Sequence, residues 1–183
     1  MKLSSQEKLI FVMLCDIYEK LGIDGEVNHK FIAKSIFSDN TWAIPWELPG
    51  IFGDEQFSDP PEVEEVADIL EMWSQLEASY SALSAAEKTR VETEASPFGR
   101  EVKFPGFDGN NESRHLSVAK HFIKEMGRWT EFEGRDLNSH APSLAAYRRM
   151  LEAMNRARES NATGLLSVGE IVEVLKVRKH PKG

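Results

Sequence analysis

Ser4 followed by Glu7 has the spacing of a capping box, and Ile10, Met13, Leu14, Ile17, Tyr18 and Leu21 then recur at helical spacing until Gly22 stops the run. Leu9, Phe11, Val12 and Cys15 fill the remaining sides, so this first helix is apolar nearly all round and is expected at the centre of the core. A second helix is predicted from Asn28 to Ser38, with Phe31, Ile32 and Ile36 as its apolar set. Residues 39–61 break the pattern with prolines at 45, 49, 60 and 61 and tryptophans at 42 and 46, and predict a loop with at most one short helix.

Asp59, Pro60 and Pro61 followed by three glutamates form a strong helix start, because proline suits the first turn and acids suit the positive end of the helix dipole. Val66, Ile69, Leu70, Trp73, Leu76, Tyr80 and Leu83 carry that helix for about six turns. Ser84 with Glu87 opens another that ends near Glu94, and further helices are expected at 111–128, 143–158 and 167–178, the last on a capping box from Ser167 to Glu170. No alternating run is long enough to propose a sheet. The predicted fold class is all-α: a single compact domain over residues 1–183, with about six to eight helices around the apolar N-terminal one.

Composition narrows the class. A chain of 183 residues with 41% apolar and 28% charged side chains is a folded domain of ordinary size, neither disordered nor collagen-like. Its longest apolar run, LIFVMLC at 9–15, is far short of the about 18–20 residues that a membrane span needs. No small-residue cleavage pattern follows the N-terminal lysines, and the single cysteine forms no internal disulfide, so a cytoplasmic protein is expected. Cys15 sits in the most apolar segment and reads as a core residue.

The net charge of −8 is unevenly spread. Residues 35–87 hold twelve acids and no Lys or Arg, whereas residues 137–183 hold eight bases and four acids. The acidic middle repels phosphates, which argues against nucleic acid, while the basic end complements acidic surfaces within or between chains. The basic tail KVRKHPKG and the helix LSVGEIVEVLK at 166–176 resemble the start of a DNA-binding unit, but no recognition helix follows, and a docking helix is the better reading.

The stretch PGFDGNNESRHL at 105–116 concentrates the candidate chemistry. As a calcium loop starting at Asp108 it fails, because Ser113 and Ala119 stand where a Gly and a Glu are required. It matches neither phosphate-loop pattern. Glu112 and His115 form Glu-x-x-His, as do Glu26 and His29, and two such motifs with further carboxylates (Asp16 and one of Glu65, Glu71 or Glu77) would build a dimetal centre in a helical bundle. The simpler reading is a helix start, with Asp108 or Asn111 as the cap and Glu112 near the positive end of that same helix. The histidines His29, His115, His121, His140 and His180 accompany no nucleophile elbow, no paired Cys and no HExxH, so no catalytic residue is assigned. Trp129 and Phe132 beside Arg128 read as core aromatics, with stacking on a ligand as the sharper alternative.

In order along the chain, GFD at 106–108 with Glu112, Arg128 and Trp129 followed by Phe132, Asn138 and Pro142 before YRRML at 147–151, LSVGEI at 166–171, and the helix DILEMWSQLEASYSAL at 68–83 together resemble the YfbU-like bacterial proteins. The resemblance implies an all-helical cytosolic protein that self-associates and has no established enzymatic activity or cofactor. Some relatives carry the domain fused to a ribbon-helix-helix segment, which does not occur in these 183 residues. His115 stands where the family pattern tends to have a tyrosine, and residues 22–30 belong to a variable loop, so both Glu-x-x-His pairs lie off the pattern.

The expectation is therefore a non-enzymatic helical protein-interaction or regulatory module, a homo-oligomer with an unidentified protein partner and no cofactor. The alternative is a small-ligand or metal-binding protein, or an enzyme, with a site near Asp108, Glu112 and His115, the ligand residues being Asp108, Glu112, Arg128 and Trp129 and the metal set Glu26, His29, Glu112 and His115. A helix of that length separates Glu112 from Arg128 by about 25 Å, which weighs against one shared site. Nucleic-acid association through residues 148–182 is the remaining alternative.

Overall fold

The computed structural model describes residues 1–53, 57–160 and 164–179. Nine α-helices occur among them: α1 (Ser5–Leu21), α2 (His29–Phe37), α3 (Ala43–Glu47), α4 (Pro49–Phe52), α5 (Pro61–Ala82), α6 (Ala85–Glu94), α7 (Ser113–Lys120), α8 (Leu144–Ser160) and α9 (Val168–Lys176). A π-helical turn at His121–Glu125 continues α7, and a short 3-10 turn covers Thr130–Phe132. The fold is all-α; among the described residues the only extended pairing is an isolated bridge between Phe107 and Asn138. The helix number exceeds the expectation because residues 39–61 form two short helices instead of at most one. Buried Trp42 and Ile44 pin α3 to the core, and Pro49 starts α4 at a position where proline costs no hydrogen bond.

Capping chemistry sets the helix starts. Ser4–Glu7, Ser84–Glu87 and Ser167–Glu170 all form the reciprocal capping boxes that their spacing predicts. Asn28 caps α2 through its side chain, and Pro61 occupies the first turn of α5.

The centre of the molecule is α5, not α1. Val63, Val66, Ile69, Leu70, Met72, Trp73 and Leu76 are fully buried, and α7, α8 and α9 all pack on this helix. The expectation of a central N-terminal helix is overturned: α1 buries only Cys15 and packs on α2 at the edge. Its inner face (Val12, Cys15, Tyr18) finds α2, but its outer face is covered by no other element among the described residues. Ile10, Leu14, Ile17 and Leu21 remain 56%, 53%, 51% and 69% exposed. Apolar content all round a helix thus did not signify burial all round. The reading of Cys15 as a packed residue holds, and burial pushes its thiol pKa up.

The single helix expected at 111–128 divides into α7 and the π turn. Three consecutive residues, His121, Phe122 and Ile123, are buried, which is more of the helix circumference than one α-helical face supplies; the wider turn accommodates them. At the other end of the chain, α9 buries Ile171, Val172, Val174 and Leu175 against α5, α6 and α8 and is a docking helix. The acidic middle and the basic end meet within one chain: Arg148 of α8 grips Glu65 of α5, and Arg158 donates to Gln75 at 2.9 Å. Asp54 and Glu55 of the acidic stretch, and His180 with the end of the basic tail, lie outside the described residues.

Candidate functional site

The 105–113 loop is built against residues 137–139. Gly106 has φ +91°, and a Cβ there would lie 1.9 Å from the Leu137 carbonyl oxygen, so the close approach of two backbones requires glycine. Phe107 N–H donates to Leu137 O at 2.9 Å, Ser139 N–H donates to Phe107 O at 3.1 Å, and Gly109 N–H donates to the Asn138 side chain at 3.0 Å. Asp108 is buried in this loop. Its carboxylate accepts from the Asn111 side chain and from the Asn110 N–H at 3.0 Å, and these bonds, the Asn111 amide foremost, hold its pKa below the usual carboxylate range. Asp108 therefore closes a turn and does not cap α7: the N-cap position is Glu112 and no side chain caps it, so the expectation of Asp108 or Asn111 as the cap is overturned.

Glu112 does something the sequence did not indicate. Its side chain does not serve α7, of which it is the N-cap residue; it reaches the start of α8. One carboxylate oxygen accepts the backbone N–H of Ser143 at 2.6 Å and of Leu144 at 2.8 Å, and the other accepts the Ser143 hydroxyl at 2.6 Å and the Asp108 N–H at 2.9 Å. Burial alone would push this carboxyl pKa up, but the bonds from Leu144, Ser143 and Asp108 together outweigh it and the net shift is downward. Charge at the positive end of α8 and complete hydrogen bonding make Glu112 a cap delivered from 31 residues away. Tyr147, one turn into α8, donates its hydroxyl to Gly106 O at 2.7 Å and closes the same unit from the other side.

The dimetal arrangement does not assemble. The Glu112 carboxylate is saturated by α8, and His115 lies 2.9 Å from Glu65, which also takes a bidentate Arg148 at 2.6 and 3.1 Å. The Arg148 hydrogen bond, ahead of that from His115, holds the Glu65 carboxyl pKa down against burial. Glu26 is exposed before α2, and His29 begins that helix with its ring 5.1 Å from Tyr18. Asp16 is exposed on α1, Glu71 accepts from Trp129 Nε1, and Glu77 is held by both guanidinium nitrogens of Arg135. Among the described residues no group of three or more His, Cys, Asp or Glu side chains is placed to hold a metal ion.

Arg128 and Trp129 belong to a different neighbourhood from Asp108 and Glu112. The Arg128 guanidinium lies 5.0 Å over the Trp46 ring and 3.8 Å from Glu47, while Trp129 donates to Glu71 at 3.2 Å and stands edge-on to Phe122 at 5.2 Å. Phe132 is fully buried, and half-buried Trp129 packs on the core. The four residues expected around one ligand are thus divided between a capping loop and an aromatic cluster.

A concave feature of another kind lies between the end of α2 and one face of α7 with its π turn. This groove encloses about 560 Å³ and is lined by Lys34, Phe37, Ser38 and Asn40 on one side and by Leu116, Ser117, Lys120, His121, Lys124 and Glu125 on the other. His121 forms its floor, and burial pushes the imidazole pKa down to about 4; Glu125 opposes the shift, while Arg114 and Lys34 add to it. Asn40 is completely buried and donates to Ser38 and Ser117 at 3.0 and 3.1 Å while accepting from Trp42 Nε1 at 3.0 Å. In the sequence His121 is one of five histidines without a distinguishing motif. The sequence signal was faint, since Lys120-His121 and Lys124 are one helix turn apart but their partners come from 34–40.

Fold and loop together define an all-helical domain organised on α5, in which a close backbone approach at Gly106 and a carboxylate cap at Glu112 join the 105–113 loop to the start of α8. The chain belongs to the YfbU family: the YfbU domain matches residues 1–177. No solved structure matches the chain. No helix among the described residues is long and apolar enough to cross a membrane.

Proposed function

We propose that the protein is a non-enzymatic helical interaction module that self-associates through the outer face of α1. The observation that carries this reading is the exposed seam Ile10, Leu14, Ile17 and Leu21, spaced four, three and four residues apart as in a coiled-coil contact. Leu9 and Met13, also exposed, widen it. A contiguous apolar surface of this kind is unusual on a monomer and marks an interaction site.

The occupant that fits is a second copy of the same helix, packed antiparallel. In that orientation Ile10 lies level with the partner's Leu21 and Leu14 with the partner's Ile17, so the seam is complementary to itself. The acidic first turn (Glu7) then faces the basic last turn (Lys20), and the helix dipoles oppose favourably. Charge complementarity between the acidic middle and basic end gives no comparable support, because Glu65 and Arg148 already meet inside one chain.

Sedimentation equilibrium of the full chain at low and high salt tests the reading. A dimer that persists in high salt, and that becomes monomeric in a Leu14→Glu, Ile17→Glu variant with unchanged helical dichroism, is the expected outcome. A chain that stays monomeric at every concentration, or a variant that dimerises like the parent, would remove it.

A further inference from the structure

Net charge predicts that this chain repels anions, yet one groove is locally basic. Three lysines, Lys34, Lys120 and Lys124, line it with a single acid, Glu125, and that acid is held by Lys34 at 2.7 Å. Lys120 and Lys124 are exposed and one helical turn apart on the same face; Lys124 is in no ion pair or hydrogen bond with a described residue, and Lys120 feels the Asp136 carboxylate without forming an ion pair with it. Phe37, 75% exposed, and the buried Leu116 line the same groove.

The floor is organised by hydrogen bonds. Ser35 donates its hydroxyl hydrogen to Phe31 O at 2.9 Å, so its 3.0 Å contact with His121 Nε2 is a bond donated by the imidazole. Nδ1 therefore carries the lone pair. Its nearest polar neighbour is Ser38 Oγ at 3.5 Å, and that hydroxyl donates to Lys34 O at 2.8 Å and accepts from Asn40. His121 is thus fixed by Ser35 and Ser38 in the wall of the groove, on a π-helical turn of the type that recurs at functional sites.

We propose that this groove binds a nucleoside phosphate, with Lys120 and Lys124 taking the phosphate, Lys34 closing its edge and Phe37 stacking on the base. Each part of that ligand meets a matching group: anionic oxygens for two exposed ammoniums, and a flat ring for an exposed aromatic. The volume of about 560 Å³ is within the usual range of small-molecule sites, about 300–1,000 Å³. The site is independent of the α1 seam, so self-association and ligand binding stand or fall separately.

Calorimetric titration of the full chain at low salt with AMP, GMP and ATP, and with adenosine and inorganic phosphate as half-ligands, tests the assignment. At least one nucleotide is expected to bind at least tenfold more tightly than either half-ligand, with affinity falling as salt rises. A Lys120→Ala, Lys124→Ala variant, altered only at exposed positions, is expected to keep the parent melting temperature and lose tenfold or more in nucleotide affinity, and Phe37→Ala is expected to lose affinity for nucleotide but not for inorganic phosphate. Absence of nucleotide binding at millimolar concentration, inorganic phosphate bound as tightly as AMP, or unchanged affinity in the double-lysine variant would overturn it.

Discussion

The Glu112 carboxylate caps α8 from outside, accepting the Ser143 N–H and hydroxyl at 2.6 Å each. Removing it strands the first donors of α8 in a buried setting. Glu112→Ala is expected to cost about 3 kcal/mol, and Glu112→Gln, which keeps an acceptor but loses the charge, about half of that. Urea denaturation followed by helical dichroism measures both. Because the folded-state pKa of Glu112 is depressed, its contribution is present above the ordinary carboxylate value and is lost as pH falls below about 4.5; the alanine variant is expected to show a shallower acid limb. Equal stability of the parent and the alanine variant at neutral pH would contradict the capping role.

Gly106 makes a second, sharper prediction. Its φ of +91° disfavours any L side chain, and the added Cβ would meet backbone, at the Leu137 carbonyl, where nothing flexible can yield. Gly106→Ala is expected to destabilise by about 3 kcal/mol or more, seen as a lowered urea midpoint or loss of soluble protein. By contrast, Gly109→Ala meets the Asn138 side chain at 3.0 Å and is expected to be milder, since a side chain can shift.

These two residues show what the letters carried. The helix starts were legible because capping is local: Ser4, Ser84 and Ser167 each meet a glutamate three residues on, and all three boxes form. Burial was legible for α5 but not for α1, since periodicity records how apolar a face is and not whether another element arrives to cover it. Asp108 reads as a helix cap and proves to close the preceding turn, with local partners in Asn110 and Asn111. The role of Glu112 was not legible, because its partners are 31 and 32 residues away and the same acid before a helix suits its own N-terminus equally well. The basic groove is the extreme case: Asn40 and Ser117, 77 residues apart, share a hydrogen bond that no spacing rule reveals.

The Glu65–Arg148 pair tests how far the uneven charge of the chain matters to its stability. Glu65 is mostly buried and Arg148 mostly exposed, and the contact is bidentate at 2.6 and 3.1 Å. A double-mutant cycle with Glu65→Ala and Arg148→Ala is expected to give a coupling energy of about 1 kcal/mol, reduced by added salt. Glu65→Ala alone is expected to cost more than Arg148→Ala, because it also takes the 2.9 Å partner of His115. A coupling near zero would mean that the acidic and basic segments are merely neighbours.

His121 gives the protein a pH response distinct from that of its carboxylates. The ring is 3% exposed between Phe31 and Trp42, and burial lowers its pKa from 6.5 to about 4. Above pH 6.5 neither the folded nor the unfolded chain protonates it, so stability is unaffected. As pH falls from 6.5 towards 4 the unfolded chain takes up a proton that the folded chain refuses, and stability drops; the full loss is about 3 kcal/mol, at about 1.4 kcal/mol per pH unit. Most of this window lies above the range in which Glu112 and Glu65 take up protons, so the two effects separate. His121→Gln, which can still donate to Ser35, is expected to cost about 1 kcal/mol at pH 7 and to show a flatter profile from pH 6.5 to 5. Urea midpoints measured at half-unit intervals provide the comparison, and parallel curves for the parent and the variant across that interval would contradict a neutral, buried imidazole.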